Sequence, residues 1–317
     1  MFANIPEFLA REISARLRSC PGPAARIAAG PPHPPRHRAF GRSARQRAGR
    51  APADRRHSQP LRGHDHLTRT DPDYTLLRGD ALTRLTELPG RTVDCVICDP
   101  PYNSGGRTTQ ERTGRTAREK YTSGVKVVLP DFPGEHKDQR SYGFWLSQLL
   151  AEAYRLTVDG GTVAVFSDWR QLPTTTDALQ AGGWLWRGIV PWYKPAARPQ
   201  KGRFTQNAEF VAWGSKGAMD GDRNPVYLRG LLEGSQPKGS SREHITQKPL
   251  GMMRELVKIC PPGGTVLDFT AGSGSTGVAA LLEGRSFLGI ELTEHYADIA
   301  ERRLAEARQS LAEADPA

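Results

Sequence analysis

The chain has 317 residues, 37 % of them hydrophobic, and a formal net charge of +10, which allows one large domain or two small ones with a true core. Its four cysteines (Cys20, Cys95, Cys98, Cys260) are too few for a disulfide framework, no apolar run has the length of a membrane span, and Glu7, Arg11, Glu12, Arg16 and Arg18 interrupt any secretory h-region. A cytoplasmic protein is expected. Residues 1–70 hold 14 Arg, no Lys and only four acids, which leaves 30 basic and 30 acidic residues balanced over 71–317. The net charge therefore says nothing about a partner of the folded part.

Residues 1–70 are rich in Arg, Pro, Ala and Gly and cannot bury enough apolar surface to offset their ordering entropy. A disordered tail is expected there, with a basic arm on nucleic acid as the other reading. From Tyr74 the texture changes. YTLLRGD predicts a strand ending at Gly79-Asp80, ALTRLTELP a short amphipathic helix, and VDCVICDPP a strand closed by two prolines. Residues 103–140 show no periodicity and predict a long mobile loop. SYGFWLSQLLAEAYRLTVDGG predicts a helix stopped by Gly160-Gly161, and TVAVFSD the next strand. LPTTTDALQAGG predicts a helix, WLWRGIVPWY and FVAWGSK two strands, and PLGMMRELVKIC a helix with Pro249 near its start. TVLDFT, STGVAALLEG, SFLGIEL and EHYADIAERRLAEARQSLAEA then predict strand, helix, strand and a long final helix. This alternation argues for an α/β domain over 71–317 with a doubly wound, mostly parallel sheet.

Two motifs carry chemistry. Gly272-Ser273-Gly274-Ser275-Thr276-Gly277 fits G-x-G-x-x-G between a strand and a helix, where glycines allow a tight turn and close approach of a ligand. Glu291 ends the following strand and can accept both hydroxyls of a ribose. A dinucleotide site is the nearest rival. The loop lies about forty residues from the C-terminus, too few for a second dinucleotide half. Asp268 before the loop suits a ligand ammonium. Both favour a mononucleoside with a charged amino-acid tail.

Asp99-Pro100-Pro101-Tyr102 closes the VDCVIC strand, at the strand end where such sheets bind ligands. The prolines stiffen the turn and leave the Pro100 carbonyl free to accept. An exocyclic amine on adenine or cytosine is a poor nucleophile because its lone pair is delocalised into the ring. A carboxylate and a carbonyl that accept its two N–H bonds favour the pyramidal, nucleophilic form. Tyr102 offers a face on which an extruded base can stack.

With both motifs in one chain, residues 74–304 resemble the amino-methylating DNA methyltransferases of the class whose catalytic motif precedes its cofactor motif. The resemblance implies S-adenosyl-L-methionine as cofactor. Asp99, Pro100, Pro101 and Tyr102 match the catalytic motif, and Asp80 matches the acid near the cofactor's adenine. His244-Ile245-Thr246-Gln247-Lys248-Pro249 matches the H-P-T-x-K-P segment, which places Thr246 and Lys248 with the cofactor. Asp268, Phe269, Thr270, Ala271, Gly272, Ser273, Gly274, Ser275 and Thr276 match the D-P-F-x-G-S-G-T-T loop, and Glu291 the ribose acid. Ile245 and Phe269 stand where Pro is usual, Thr270 where Phe is usual, and Ser275 where Thr is usual.

Arg187, Lys194, Arg198, Lys201 and Arg203 fall in a stretch without acids, interleaved or flanked by Trp184, Trp186, Trp192, Tyr193 and Phe204, a composition that suits phosphate contact and a splayed base. A target-recognition insert is expected over about 194–242, with Lys194, Arg198, Lys201 and Arg203 on DNA. Arg107 and Arg112 in the 103–140 loop are expected to join them on substrate binding. Cys95 and Cys98, three apart on a strand, point to opposite faces and predict buried thiols, not a metal pair. The tail histidines His33, His37, His57, His64 and His66 give no metal site either, and no metal is expected.

The favoured reading is transfer of a methyl group to N6 of adenine in double-stranded DNA by base flipping. Asp in the first catalytic position resembles the adenine enzymes, and Ser is common in the cytosine enzymes. N4 of cytosine, RNA amino methylation, or an inactive DNA-binding module on the same fold are the alternatives. The resemblance admits a cognate restriction endonuclease and either a monomer or a homodimer.

Overall fold

The computed structural model describes residues 73–102, 137–199, 201–235 and 247–314. The expected tail over 1–70, nearly all of the 103–140 loop, Thr246, Arg107 and Arg112 lie outside the described residues.

The elements in chain order are β1 (Tyr74–Arg78), α1 (Ala81–Glu87), β2 (Val93–Cys98), α2 (Gln139–Leu156), β3 (Thr157–Ser167), α3 (Leu172–Ala181), β4 (Leu185–Tyr193), β5 (Ala208–Ser215), β6 (Leu232–Glu233), α4 (Leu250–Val257), β7 (Thr265–Asp268), α5 (Ser275–Leu282), β8 (Ser286–Glu291) and α6 (Glu294–Ala314). One sheet joins the strands in the order β1-β8-β7-β2-β3-β5-β4-β6. The run from β1 to β3 is parallel throughout. β5 runs antiparallel to both β3 and β4, and β6 adds two residues parallel to β4. The mostly parallel sheet expected from the strand–helix alternation is present.

Burial explains why the central strands read as continuous apolar runs. In β2, Val93, Cys95, Val96, Ile97 and Cys98 are all fully buried, as a parallel strand with helices on both faces requires. Helix α2 packs against both α1 and α3, and α5 packs against both α4 and α6. Helix α2 buries Tyr142, Leu146, Leu149, Leu150, Ala153 and Leu156, a stripe at helical spacing. Its N-cap is Asp138, whose side chain accepts from the Ser141 amide at 2.8 Å.

Gly160-Gly161, the expected stop of α2, lies beyond the helix. The structure ends the helix at Leu156 and carries both glycines inside β3. The β-branched Thr157-Val158 pair favours extended backbone, and the Thr157 hydroxyl caps the helix by donating to the Ala153 carbonyl at 2.7 Å. Gly160, at φ 78°, absorbs the irregularity where the β2–β3 register shifts.

Helix α5 sits close to β8 and α6 at Gly277. A Cβ there would lie 2.5 Å from a Phe287 ring carbon and 2.6 Å from a Leu304 methyl. Gly277→Val is expected to lower the unfolding free energy by about 1–3 kcal/mol through overpacking. Urea denaturation checks this, and an unchanged midpoint would contradict it.

Candidate active site at the carboxyl ends of the strands

The parallel strands end along one edge of the sheet, and the sheet order fixes which residues become neighbours there. Arg78 pairs with Glu291, Asp268 with Gly289, Leu267 with Val96 and Cys98 with Val165. Beyond β3, Ser167 pairs with Phe210, and Trp192 with Glu209. The edge therefore presents Asp80, Glu291, the loop after Asp268, Asp99, Glu209 and Lys194 in that order, at strand spacings of about 4.8 Å.

Its first half is a ligand cradle. Gly272 (φ 52°) and Gly274 (φ 75°) both take left-handed backbone, which favours glycine. Gly274 also lies against α6, where a Cβ would meet Ala300 at 3.1 Å. The Glu291 carboxylate accepts from the Gly272 amide at 2.9 Å through Oε2, and from the Thr293 amide and hydroxyl at 2.9 and 2.7 Å through Oε1. Oε2, with one bond made, keeps acceptor capacity for a ribose hydroxyl. Asp80, beside this cradle, is exposed and caps α1 by accepting from the Thr83 amide at 3.0 Å. The Gly79 amide donates to the Glu291 carbonyl at 2.9 Å, which ties the ends of β1 and β8 together. Glycines at the turn, an acid at the end of the next strand and a second acid beside it suit a nucleoside ligand.

Asp268 is turned inward. Its Oδ1 accepts from the Thr270 amide at 2.9 Å and hydroxyl at 3.2 Å, and its Oδ2 from the Thr276 hydroxyl at 2.6 Å. Burial pushes its carboxyl up to about 7, against these hydrogen bonds. Asp268 thus braces the loop from within. Phe269 is fully buried in the core, while Ala271, Ser273, Ser275 and Thr276 are nearly covered. Arg303 on α6, which no sequence motif marks, donates from its guanidinium to the Ser273 carbonyl and lies 3.1 and 3.2 Å from the Ser273 and Ser275 hydroxyls. Nothing local marks it, because it lies about thirty residues beyond the loop on a highly charged helix.

The second half centres on Lys248. Its side chain is 5 % exposed, and its ammonium lies 2.5 Å from Asp99 Oδ2 and 3.8 Å from Glu209 Oε2. It also lies over the rings of Phe166, Trp192 and Tyr102, at 4.8, 5.5 and 5.9 Å. Lys248, expected with the cofactor, has its ammonium on the Asp99 carboxylate. Asp99 Oδ1 is buried without a hydrogen-bond partner. Burial pushes the Asp99 carboxyl above its ordinary value, and Lys248 only partly counters this. Tyr102 is 7 % exposed, so stacking a base on it requires the cover over its ring to move. Its hydroxyl donates to Glu209 Oε2 at 3.0 Å.

Glu209 was not singled out from the sequence, where it is one acid beside an apolar run. It also accepts from Lys194 at 2.7 Å. Burial pushes its carboxyl up, but Lys248, Lys194 and the Tyr102 hydroxyl together hold it below its ordinary value. Lys194, expected on DNA, is therefore engaged in an ion pair. Arg198, Lys201 and Arg203 are exposed on the β4–β5 connection, which leaves from the same edge. Arg187 points elsewhere, to Ser215 and the Gly217 carbonyl. Cys95 and Cys98 are buried as expected; burial pushes the Cys95 thiol up to about 12. Among the described residues no group of His, Cys, Asp or Glu could hold a metal, and no helix is long and apolar enough to cross a membrane. A cavity of about 840 Å³ opens under residues 219–233, with Val190, Val211, Trp213, Leu232 and Met252 in its walls. It meets β2 at Asp94, the strand end remote from Asp99, and is separate from this site.

A family of DNA methylases (N6_N4_Mtase) matches residues 93–302. The type II methyltransferase M2.MboI of Moraxella bovis is 23 % identical over 252 residues, which span 74 % of this chain and 89 % of that protein. Among solved structures, the M1.HpyAVI complex with S-adenosylmethionine is similar at a TM-score of 0.53 and 25 % identity, covering 73 % of this chain and 98 % of that one. The cytosine-N4-specific PvuII DNA methyltransferase shares the fold at a TM-score of 0.54 and 16 % identity, covering 78 % and 95 %.

The Asp268 shift has a consequence for stability. Its folded value lies above the ordinary 3.8, so between these values the folded state holds more protons than the unfolded one. Stability from this group is present at low pH and lost as pH rises from about 4 to about 7. Asp268→Asn is expected to flatten the stability profile across that window, as read by urea denaturation from pH 4 to 8. An equal slope in both proteins would contradict the assignment.

Proposed function

The chain belongs to the N6_N4 DNA methylase family and is an S-adenosylmethionine-dependent DNA methyltransferase; from that premise we propose that its target is the exocyclic N6 of adenine, reached by extruding the base from double-stranded DNA. The observation that carries this reading is the buried, unpartnered Oδ1 of Asp99 beside an Oδ2 that is occupied by Lys248. An unsatisfied buried carboxylate oxygen is costly, and an amino hydrogen would satisfy it. Asp99 in the first position of the tetrapeptide supports adenine over cytosine. The shared fold does not discriminate, because a cytosine-N4 enzyme has it too.

Bound S-adenosylmethionine supplies an electrophilic methyl group on a sulfonium. The loop from Asp268 to Thr276, with Glu291 and Asp80, would hold it at the ends of β7, β8 and β1. Asp99 Oδ1 and the Pro100 carbonyl accept the two amino hydrogens and draw the nitrogen lone pair out of ring conjugation. Pro101 keeps the turn stiff, and Tyr102 supports the base. Asp99, still ionised, can take the proton that the methylated amine sheds. Arg198, Lys201 and Arg203 contact phosphates on the same side and set the duplex in register. The type II designation of the Moraxella bovis relative supports a paired restriction endonuclease.

Labelled S-adenosylmethionine incubated with DNA or RNA, followed by nucleoside analysis, tests the reading. Label is expected in N6-methyladenine of DNA. Label in N4-methylcytosine would overturn the adenine assignment, and label in RNA alone would overturn the substrate. Asp99→Ala is expected to lower the transfer rate by about 100-fold or more while cofactor binding, measured calorimetrically, is retained. Transfer at the normal rate would remove Asp99 from the reaction.

A further inference from the structure

The methylation chemistry uses Asp99, Pro100 and Tyr102 and leaves unexplained a buried acid, Glu209, at the start of β5. Nothing local requires it. Neighbouring positions of β5 bury Val211 and Ala212 completely, and an apolar residue would fill the space without a desolvation cost. Yet its two carboxylate oxygens reach three partners from three different parts of the fold. Oε1 takes Lys194 at the end of β4, at 2.7 Å. Oε2 takes the Tyr102 hydroxyl from the tetrapeptide at 3.0 Å, and the Lys248 ammonium lies 3.8 Å away. Lys248 in turn lies 2.5 Å from Asp99. The charges thus alternate along a line, Lys194–Glu209–Lys248–Asp99, and Tyr102 branches from its second member.

We propose that Glu209 is a positioning residue for methyl transfer: one carboxylate fixes the Tyr102 ring on which the extruded base stacks and seats the Lys248 ammonium against the catalytic carboxylate of Asp99. This inference rests on the DNA methylation reading above. The two arms are separable in chemistry. The Tyr102 arm is a hydrogen bond, which a neutral acceptor can replace. The Lys248 arm is a charge, which it cannot. Glu209 also acts on Asp99 as a like charge and opposes its ionisation. Among the described residues the other groups facing Asp99 are Lys248, Asp268 at the end of β7, Tyr142 of α2 and Cys98 of β2. Lys248 is the cation among them.

The experiment compares E209Q, E209A and Y102F with the wild-type protein in three readouts: the pH dependence of single-turnover methyl transfer, fluorescence of DNA carrying 2-aminopurine at the target base, and calorimetric affinity for S-adenosylmethionine. E209Q keeps an acceptor for Tyr102 and loses the charge. It is expected to extrude the base normally while the acid limb of its rate profile moves to higher pH, because an unseated Lys248 supports the ionised Asp99 less and Lys248 acts on Asp99 more strongly than the like charge of Glu209 does. E209A loses both arms, so the same limb shift is expected together with a fall of about tenfold or more in kcat/KM for DNA and a weaker fluorescence rise. Y102F is expected to show the same weaker fluorescence rise with its acid limb unmoved. Cofactor affinity should match the wild type in all three, which a residue that merely held the fold together would not allow. A wild-type acid limb in E209Q, or normal base extrusion in both E209A and Y102F, overturns the inference. Should neither Glu209 variant fold, Y102F decides alone: normal extrusion overturns the inference and weakened extrusion supports it. Failure of the wild-type protein to label DNA would instead sink the methylation reading itself.

Discussion

A lysine ammonium with 5 % of its side chain exposed, held 2.5 Å from one carboxylate and 3.8 Å from another, is the contact on which the reactive end of this sheet depends. A buried charge is tolerated only when it is paired. Lys248 is paired with Asp99 and Glu209, and three aromatic rings complete its surroundings. The pairing works in both directions. Burial alone would favour a protonated Asp99, which could accept less from an amine. Lys248 opposes that and keeps one carboxylate oxygen available. Glu209 and Lys194 extend the same logic outward, so that four charges, each costly alone, are neutralised as a group.

The sheet makes this group possible. Asp99, Lys194, Glu209 and Lys248 span 149 residues of sequence between the first and the last. They meet because β2 and β4 end, and β5 begins, on one edge. The antiparallel insertion of β5 between β3 and β4 is what brings Glu209 to that edge, since a parallel β5 would put Ser215 there instead. The glycine loop, Glu291 and Asp80, the cradle proposed for the cofactor, lie on the other side of β2, at the ends of β7, β8 and β1. The tetrapeptide thus stands between the cradle and the basic β4–β5 connection, where a reaction joining a methyl donor to a base needs it.

Much of this was legible in the sequence where the cause is local. The glycine loop, the Asp99–Tyr102 turn and the strand–helix alternation each depend on a few consecutive residues, and the structure has all of them. The buried state of Cys95 and Cys98 followed from strand periodicity. Tertiary partners were not legible. Lys248 was assigned to the cofactor by its place in a motif, whereas its ammonium lies on Asp99. Lys194 read as a phosphate contact, and β5 supplies it with a buried acid. Asp268 read as a ligand for an ammonium, and its own loop occupies both oxygens. The Gly160-Gly161 pair read as a helix stop because glycine usually ends helices, but Thr157 had already ended this one. For the three charged residues the type was legible and the intramolecular partner, fixed by the folded chain, was not.

Lys248 supports the ionised form of Asp99 against its burial. That support is tested most directly by the pH profile of single-turnover methyl transfer in Lys248→Met. Asp99 must be ionised to accept the amine, and without Lys248 its burial goes uncompensated. The acid limb of the profile is therefore expected to move to higher pH, with activity recovered in part as pH rises. An acid limb at the wild-type position would contradict the account.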